Sequence, residues 1–207
     1  MNRHHVLIVT DGAFGEDVAR RLVGLLALDG RTAAIGAEAG TGSASIAVRA
    51  SWRDVEAEWD LFAAEVADAG VPWLPVAYDG TQVRVGPGVI PGGAPCYSCY
   101  RARVRQHNVA SPEFDPALLA DPALGVREYP PHVAAMAAGL ALVLLRAVAD
   151  GASGTGQLYT IDCDTDGIDW WHVVPAHACP ECDSDRAFSA RTQAGREAIR
   201  TLLRSAW

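Results

Sequence analysis

No lysine occurs anywhere in the 207 residues; all 17 basic residues are arginine. That absence excludes every mechanism built on an amine: a Walker-type phosphate clamp, a Schiff base or an activating ammonium. Basic charge is also short overall, with a net charge of −8 and a sequence pI near 5.1. A chain of that balance has no electrostatic footprint for nucleic acid or for an anionic membrane surface. Long apolar runs are missing too. The longest, Val133–Leu145, is too short to span a bilayer and ends at Arg146. Met1-Asn2-Arg3-His4-His5 leads straight into an apolar segment, so no targeting segment is read there. The sequence contains no His-Glu-x-x-His, and Ser98 has no Gly-x-Ser-x-Gly context.

The chain does contain two widely separated Cys-x-x-Cys pairs, Cys96-Tyr97-Ser98-Cys99 and Cys179-Pro180-Glu181-Cys182. Each can offer two thiolates to one metal, and together they match a closed, four-sulfur structural zinc site. Pro95 and Pro180 set tight turns at both knuckles. The competing readings are a disulfide pair, a redox Cys-x-x-Cys and two unrelated buried pairs. His177 standing in for one thiolate is a further option. A four-thiolate site has no open position for water, so its zinc holds structure and performs no chemistry. Four of five cysteines in metal spacing point to a reducing, cytoplasmic setting. Cys163 is left over and reads as a buried, inert thiol in a strand.

The element pattern predicts an α/β fold. Val6–Thr10 reads as a buried strand, Asp11–Gly15 as a turn and Glu16–Leu28 as a helix. Arg31–Ile35 and Ser45–Arg49 follow as strands, and Asp54–Ala69 as a helix ended by Gly70. Trp73–Ala77 reads as a strand placed at a sheet edge by Pro75. Asp79-Gly80 turns the chain into Gln82–Val85. A basic helix is expected over Ser98–His107, its Arg101, Arg103 and Arg105 forming a solvated face or meeting an acidic partner. Ser111–Pro130 is a proline-broken loop and Pro131–Ala149 a buried helix. Gly156–Cys163 and Ile168–Val174 form an antiparallel pair, and Arg186–Arg204 a polar helix. The early alternation argues for a largely parallel sheet.

Two local motifs carry less than they suggest. The first turn keeps only Gly12 and Gly15 of a dinucleotide fingerprint, with Phe14 and acidic flanks Asp11 and Glu16; Glu38 stands where a ribose ligand would. It reads as a structural Rossmann-like turn. Asp162-x-Asp164-x-Asp166-Gly167 starts like a calcium loop, but position twelve is Val173, so a hairpin turn is expected. His132 opens the buried helix in a capping or packed role.

Val85-Gly86-Pro87-Gly88-Val89-Ile90-Pro91-Gly92-Gly93-Ala94-Pro95-Cys96-Tyr97-Ser98-Cys99, a buried helix, and then His172-Val173-Val174-Pro175-Ala176-His177-Ala178-Cys179-Pro180-Glu181-Cys182 together resemble the ThiF-like partner proteins of YcaO-type cyclodehydratases. The likeness runs from the Val6 strand to the second knuckle. It implies a Rossmann-like, ThiF-type sheet over residues 1–185, a structural zinc on Cys96, Cys99, Cys179 and Cys182, and a helical tail at 186–207. The implied role is noncatalytic. The chain would present a ribosomal precursor peptide to, or activate, a YcaO-type protein that handles ATP and closes thiazoline or oxazoline rings. The wider group, similar to ubiquitin-activating enzymes, adenylates a carboxyl terminus and uses a nucleotide-site lysine. That lysine is missing here and the glycine turn is incomplete, so no ATP is expected. Many such partners begin with a winged-helix-like module that grips the leader peptide. With the first strand at Val6 no room is left for one, so the leader would be held by a separate protein or by a sheet edge. A homodimer is allowed by the resemblance. The alternatives are an active adenylating enzyme and a zinc-stapled scaffold of another complex.

Overall fold

Val6, Leu7, Ile8 and Val9 are all buried, which places the first strand inside a sheet covered on both faces. The computed structural model describes residues 5–36, 44–107, 120–121, 123–149 and 155–182. Its seven strands are β1 (His5–Asp11), β2 (Thr32–Ile35), β3 (Ile46–Ser51), β4 (Trp73–Tyr78), β5 (Gln82–Val85), β6 (Gln157–Asp162) and β7 (Ile168–His172). They form one sheet in the order β2-β1-β3-β4-β5-β6-β7. Among the described residues four helices cover it: α1 (Gly12–Leu28), α2 (Glu56–Asp68), α3 (Tyr97–His107) and α4 (Pro131–Ala149).

The expected α/β class is what forms, but the sheet is parallel only in part. β2, β1, β3 and β4 run parallel, and β4 through β7 are antiparallel. The reason lies in the connections. Helix α1 joins β1 to β2 and α2 joins β3 to β4, crossovers that keep the strand direction, whereas Asp79–Thr81 and Cys163–Gly167 are tight turns that only reverse the chain.

Pro75 does not mark an edge. β4 is central, between β3 and β5. The Gly86 N–H donates to Pro75 O at 2.8 Å, as in a paired antiparallel ladder. The missing proline N–H would have bonded Gly86 O. Instead the guanidinium of Arg84 donates to that oxygen at 2.6 Å. A side chain thus replaces the backbone donor, and the proline is tolerated inside the sheet.

Alternating strand residues divide the core in two. Val6 and Ile8, Ile46 and Val48, and Leu74 and Val76 face α1 and α4. Leu7, Val9, Ala47, Trp73 and Leu158 face α2, α3 and the cysteine knuckles. Helix α4 is longer than its apolar run and reaches a mean hydropathy of 1.9, enough by length and composition to cross a membrane. Here Val133, Ala137, Ala141, Leu144 and Val148 pack in the core against α1 and the sheet.

Helix α1 starts at Gly12, directly on the end of β1, so the expected turn over Asp11–Gly15 belongs to the helix. Cys163 lies just past β6 and is half-buried; burial, then Asp79 and Asp162, push its thiol up to about 11. The Asp162–Gly167 stretch is the hairpin turn: Asp162 accepts the N–H groups of Asp164 and Thr165. Glu38, half of Ser111–Pro130 and the expected helix over 186–204 lie outside the described residues.

Candidate functional site

Ala94-Pro95 delivers Cys96 to the start of α3, and Cys99 follows on its first turn. The loop fits because Gly156 (φ +78°) lacks a side chain; a Cβ there would sit 2.5 Å from Pro95 Cγ. After β7, Val173–Cys182 returns the second knuckle to the same place. The four Sγ atoms lie within 4.8 Å of one another. The separations are 3.8 Å for Cys96–Cys99, 3.6 Å for Cys96–Cys179 and 3.5 Å for Cys99–Cys182. Thiolates about 2.3 Å from one tetrahedral centre lie about 3.8 Å apart, so the spacing is compatible with zinc.

All four cysteines are free thiols and buried. That argues against the disulfide reading and against two unrelated pairs. Among the described residues the cluster holds only these four potential ligands, and His177 is not one of them. Burial raises the Cys96 thiol and lifts that of Cys182 to about 12. For Cys179 burial acts in the same direction, but the N–H groups of Glu181 and Cys182 and neighbouring thiols outweigh it, and its pKa falls. Four thiols packed against Trp59, Trp73 and Tyr97 are poor company for one another as thiolates unless a cation gathers them.

Next to the knuckles is an ion network that the sequence reading missed. Arg49, Arg53, Arg84 and Arg101 are all buried. Arg84 pairs with Asp54 at 2.7 Å, Arg101 with Glu56 at 3.0 Å, and Arg49 with Glu58 at 3.1 Å. Arg105 also meets Glu56. The expected solvated arginine face of α3 is therefore corrected. Arg101 points inward, because Asp54 and Glu56 at the start of α2 stand across from it. Arg103 donates to Val174 O and Pro175 O at 3.1 and 2.7 Å. The legible signal was an arginine inside each of two apolar strands, Ile46–Ser51 and Gln82–Val85; such a residue must find a buried carboxylate. His132 does not pack in the core; it reaches Asp166 at 2.7 Å on the surface.

The junction of β1 and α1 has no open cradle. Gly12 (φ +68°) lies under Trp52, whose Cδ1 would be 2.4 Å from a Cβ at that position. On its other side the indole faces Gly125, and the guanidinium groups of Arg53 and Arg127 lie over it at 5.4 and 4.9 Å. Ser51 Oγ donates to Asp11 Oδ2 at 3.1 Å. Gly15 permits contact rather than binding: a Cβ there would be 2.3 Å from Ala50 O. The space a phosphate would take at the start of a helix is filled by a tryptophan. Trp52 and Arg53 also border a cleft of about 730 Å³ that extends along α3 to β7, lined by Arg84, Tyr100, Arg103, Thr160 and Trp171 among others.

No protein-family model matches the chain, and no curated protein matches it. Solved structures do share its fold. A heterocyclase in complex with substrate and cofactor superposes with a TM-score of 0.66 at 19% identity, over 87% of this chain and 25% of that one. The Escherichia coli microcin synthetase McbBCD complex gives 0.64 at 13% identity, over 84% and 67%. E. coli MccB with ATP gives 0.56 at 14% identity, over 86% and 67%. The chain thus spans about a quarter of the length of the heterocyclase it resembles.

Proposed function

We propose that this chain is a ThiF-like component of a cyclodehydratase that forms azoline rings in a ribosomal precursor peptide. It presents the peptide to, or activates, a YcaO-type protein that supplies the ATP chemistry. The shared fold with a heterocyclase and with a microcin synthetase complex supports the setting. The observation that carries the noncatalytic part is Trp52 seated on Gly12, where a nucleotide-binding turn would be open. The absence of lysine in the sequence agrees with it.

Cys96, Cys99, Cys179 and Cys182 hold a structural zinc in this reading. The metal joins α3 to the chain leaving β7, segments 83 residues apart. It takes no part in the reaction, because four thiolates fill its coordination sphere.

The test is reconstitution. The zinc-loaded chain, its YcaO-type partner and the precursor peptide are combined with ATP, and each ring is read as the loss of one water. Ring formation that needs this chain supports the proposal; equal turnover without it ends it.

A second reading, adenylation by this chain itself, is favoured by the likeness to MccB with ATP. Calorimetric titration with magnesium-ATP separates the two. Binding with AMP release in the presence of peptide would establish the second reading, and no binding of ATP would remove it.

A further inference from the structure

Strand β7 closes one end of the sheet, and no described residue pairs with its outer side. Two hydrogen bonds fix which backbone groups face out. The Val173 N–H donates to Gly156 O at 2.8 Å, and the Asp162 N–H donates to Gly167 O at 2.9 Å. In an antiparallel ladder this parity turns the amides of Asp169 and Trp171 inward toward β6. Those of Ile168, Trp170 and His172 turn outward, leaving three donors and three acceptors in a row. All five residues of β7 are exposed, including Trp170 at 68% and Trp171 at 55%. Folded proteins ordinarily blunt such an edge with proline, a bulge or several charges. Within β7 there is no proline and one carboxylate, Asp169.

The two tryptophans lie on opposite faces. Trp171 is on the side of α3, its indole N–H donating to Thr160 Oγ1 at 3.1 Å, and it lines the cleft. The charges in that cleft are not evenly spread along the strand. Arg84 is neutralised by Asp54. Asp79, also charged, accepts the N–H groups of Thr81 and Gln82 within its own turn, at the Ile168 end of the strand. Arg103 bonds only neutral oxygens, those of Val174, Pro175 and Gln106, and no described carboxylate pairs with it. A full positive charge therefore stands beside the His172 end of the open strand, in a chain whose net charge is −8.

We propose that the outer edge of β7 and this cleft bind an extended peptide segment as an eighth strand, with an acidic side chain of that segment directed at Arg103. Main-chain bonds to Ile168, Trp170 and His172 give affinity, and the Trp171 ring and Arg103 give selectivity. The inference rests on the reading of the chain as a presenter of precursor peptide, and it assigns the surface that does the presenting.

The experiment uses the full zinc-loaded chain alone and follows tryptophan fluorescence. Three blocked decapeptides serve as probes, alternating valine with glutamate, serine or lysine. The glutamate peptide is expected to bind at least about tenfold tighter than the lysine peptide, and Arg103→Glu to reverse that order. Trp170→Pro removes one outward donor and leaves the ladder to β6 intact, so it should abolish binding that Trp170→Ala retains. Circular dichroism confirms that both variants are folded. Equal affinity for the glutamate and lysine peptides overturns the proposal, as does equal binding by Trp170→Pro and Trp170→Ala. So does a wild-type dimer that binds no peptide and becomes monomeric in Trp170→Pro, which would mean that a second copy covers the edge. The YcaO-type partner is absent throughout. Peptide binding without any effect on ring formation would thus remove the functional reading and keep the docking edge, and activation without peptide binding would do the reverse.

Discussion

The face of the sheet under α1 and α4 is held by aliphatic packing, whereas the face under α2 and α3 is built from rings, guanidinium groups and thiols. On the first, Ile8, Leu22, Val48, Leu144 and Leu145 are fully buried with small alanines between them. On the second, Trp73 meets Tyr97 at 5.0 Å and Phe62 at 5.3 Å, and Arg84 lies over Tyr100 at 4.7 Å. Apolar burial needs no external component, since each large side chain contributes about 1.5–3 kcal/mol by leaving water. Buried charges and clustered thiols are costly until each finds its partner. The same sheet therefore has one face that folds on its own terms and one whose thiols and buried charges need partners. The cleft and the open edge belong to the second.

In the proposed reading a structural zinc gathers those thiols, and removing it should break the second face first. Cys96→Ser or Cys182→Ser is expected to abolish metal content and to cost on the order of 10 kcal/mol of folding free energy, enough to unfold the chain. Leu144→Ala on the other face is expected to cost about 2–5 kcal/mol and to leave the metal in place. Metal analysis beside thermal melts, with and without chelator, separates the two. A soluble, well-folded Cys96→Ser/Cys182→Ser protein would refute the structural role of the four cysteines.

Ion pairing is the next dependence. Arg84→Met alone leaves the largely enclosed Asp54 with only the longer contact to Arg101, at 3.8 Å, and should cost about 3–5 kcal/mol. It also strips Gly86 O of its donor. Arg84→Met with Asp54→Leu should recover part of that loss, since a matched apolar pair carries no unpaired charge. Denaturant midpoints of the two single variants and the double variant measure the coupling. Simple additivity would show that the pair contributes nothing beyond its separate contacts.

Close backbone approach gives a smaller contrast along a single helix. Gly15→Ala would drive a Cβ to 2.3 Å from Ala50 O and part α1 from β3. A loss of about 1–3 kcal/mol is expected. Gly24 has nothing within 4 Å of such a Cβ. Gly24→Ala should stabilise by about 0.4–1 kcal/mol, because alanine gives up less freedom in a helix. Melting temperatures moving in opposite directions would bear this out.

What the sequence could tell differs between the faces for the same physical reason. Elements on the aliphatic face follow from periodicity alone: Val6–Thr10 and Pro131–Ala149 emerge nearly where they were expected, and the four cysteines come together as their spacing implied. The arginines of α3 were misplaced because helical spacing shows which residues share a side but not what stands across from it. Asp54 and Glu56, some 45 residues earlier in the chain, decide that Arg101 is buried. Pro75 was misjudged likewise, since its tolerance depends on Arg84 reaching Gly86 O. Trp52 carried no local sign that it would cover Gly12, a contact between the ends of two parallel strands.

The smallest effect lies at the rim of the aliphatic face, where Asp29 at the end of α1 accepts from Arg146 of α4 at 2.6 and 3.1 Å and from Arg31 at 2.9 Å. The hydrogen bond from Arg146 holds the Asp29 carboxyl below its ordinary value of 3.8, partly opposed by desolvation and aided by Arg31. A carboxyl whose pKa is lower in the folded chain than in the unfolded one contributes stability above the unfolded value and loses it as pH falls through the folded one. The contribution should therefore be complete at neutral pH and fade only below about pH 4. Half of the Arg146 side chain is open to solvent, so salt should screen the pair and the shift in melting temperature should be slight. Arg146→Gln should flatten the acid limb of the stability curve by that small amount while leaving the metal and the β7 edge untouched. A large change would mean that the aliphatic face also relies on charge, and the contrast between the two faces would fail.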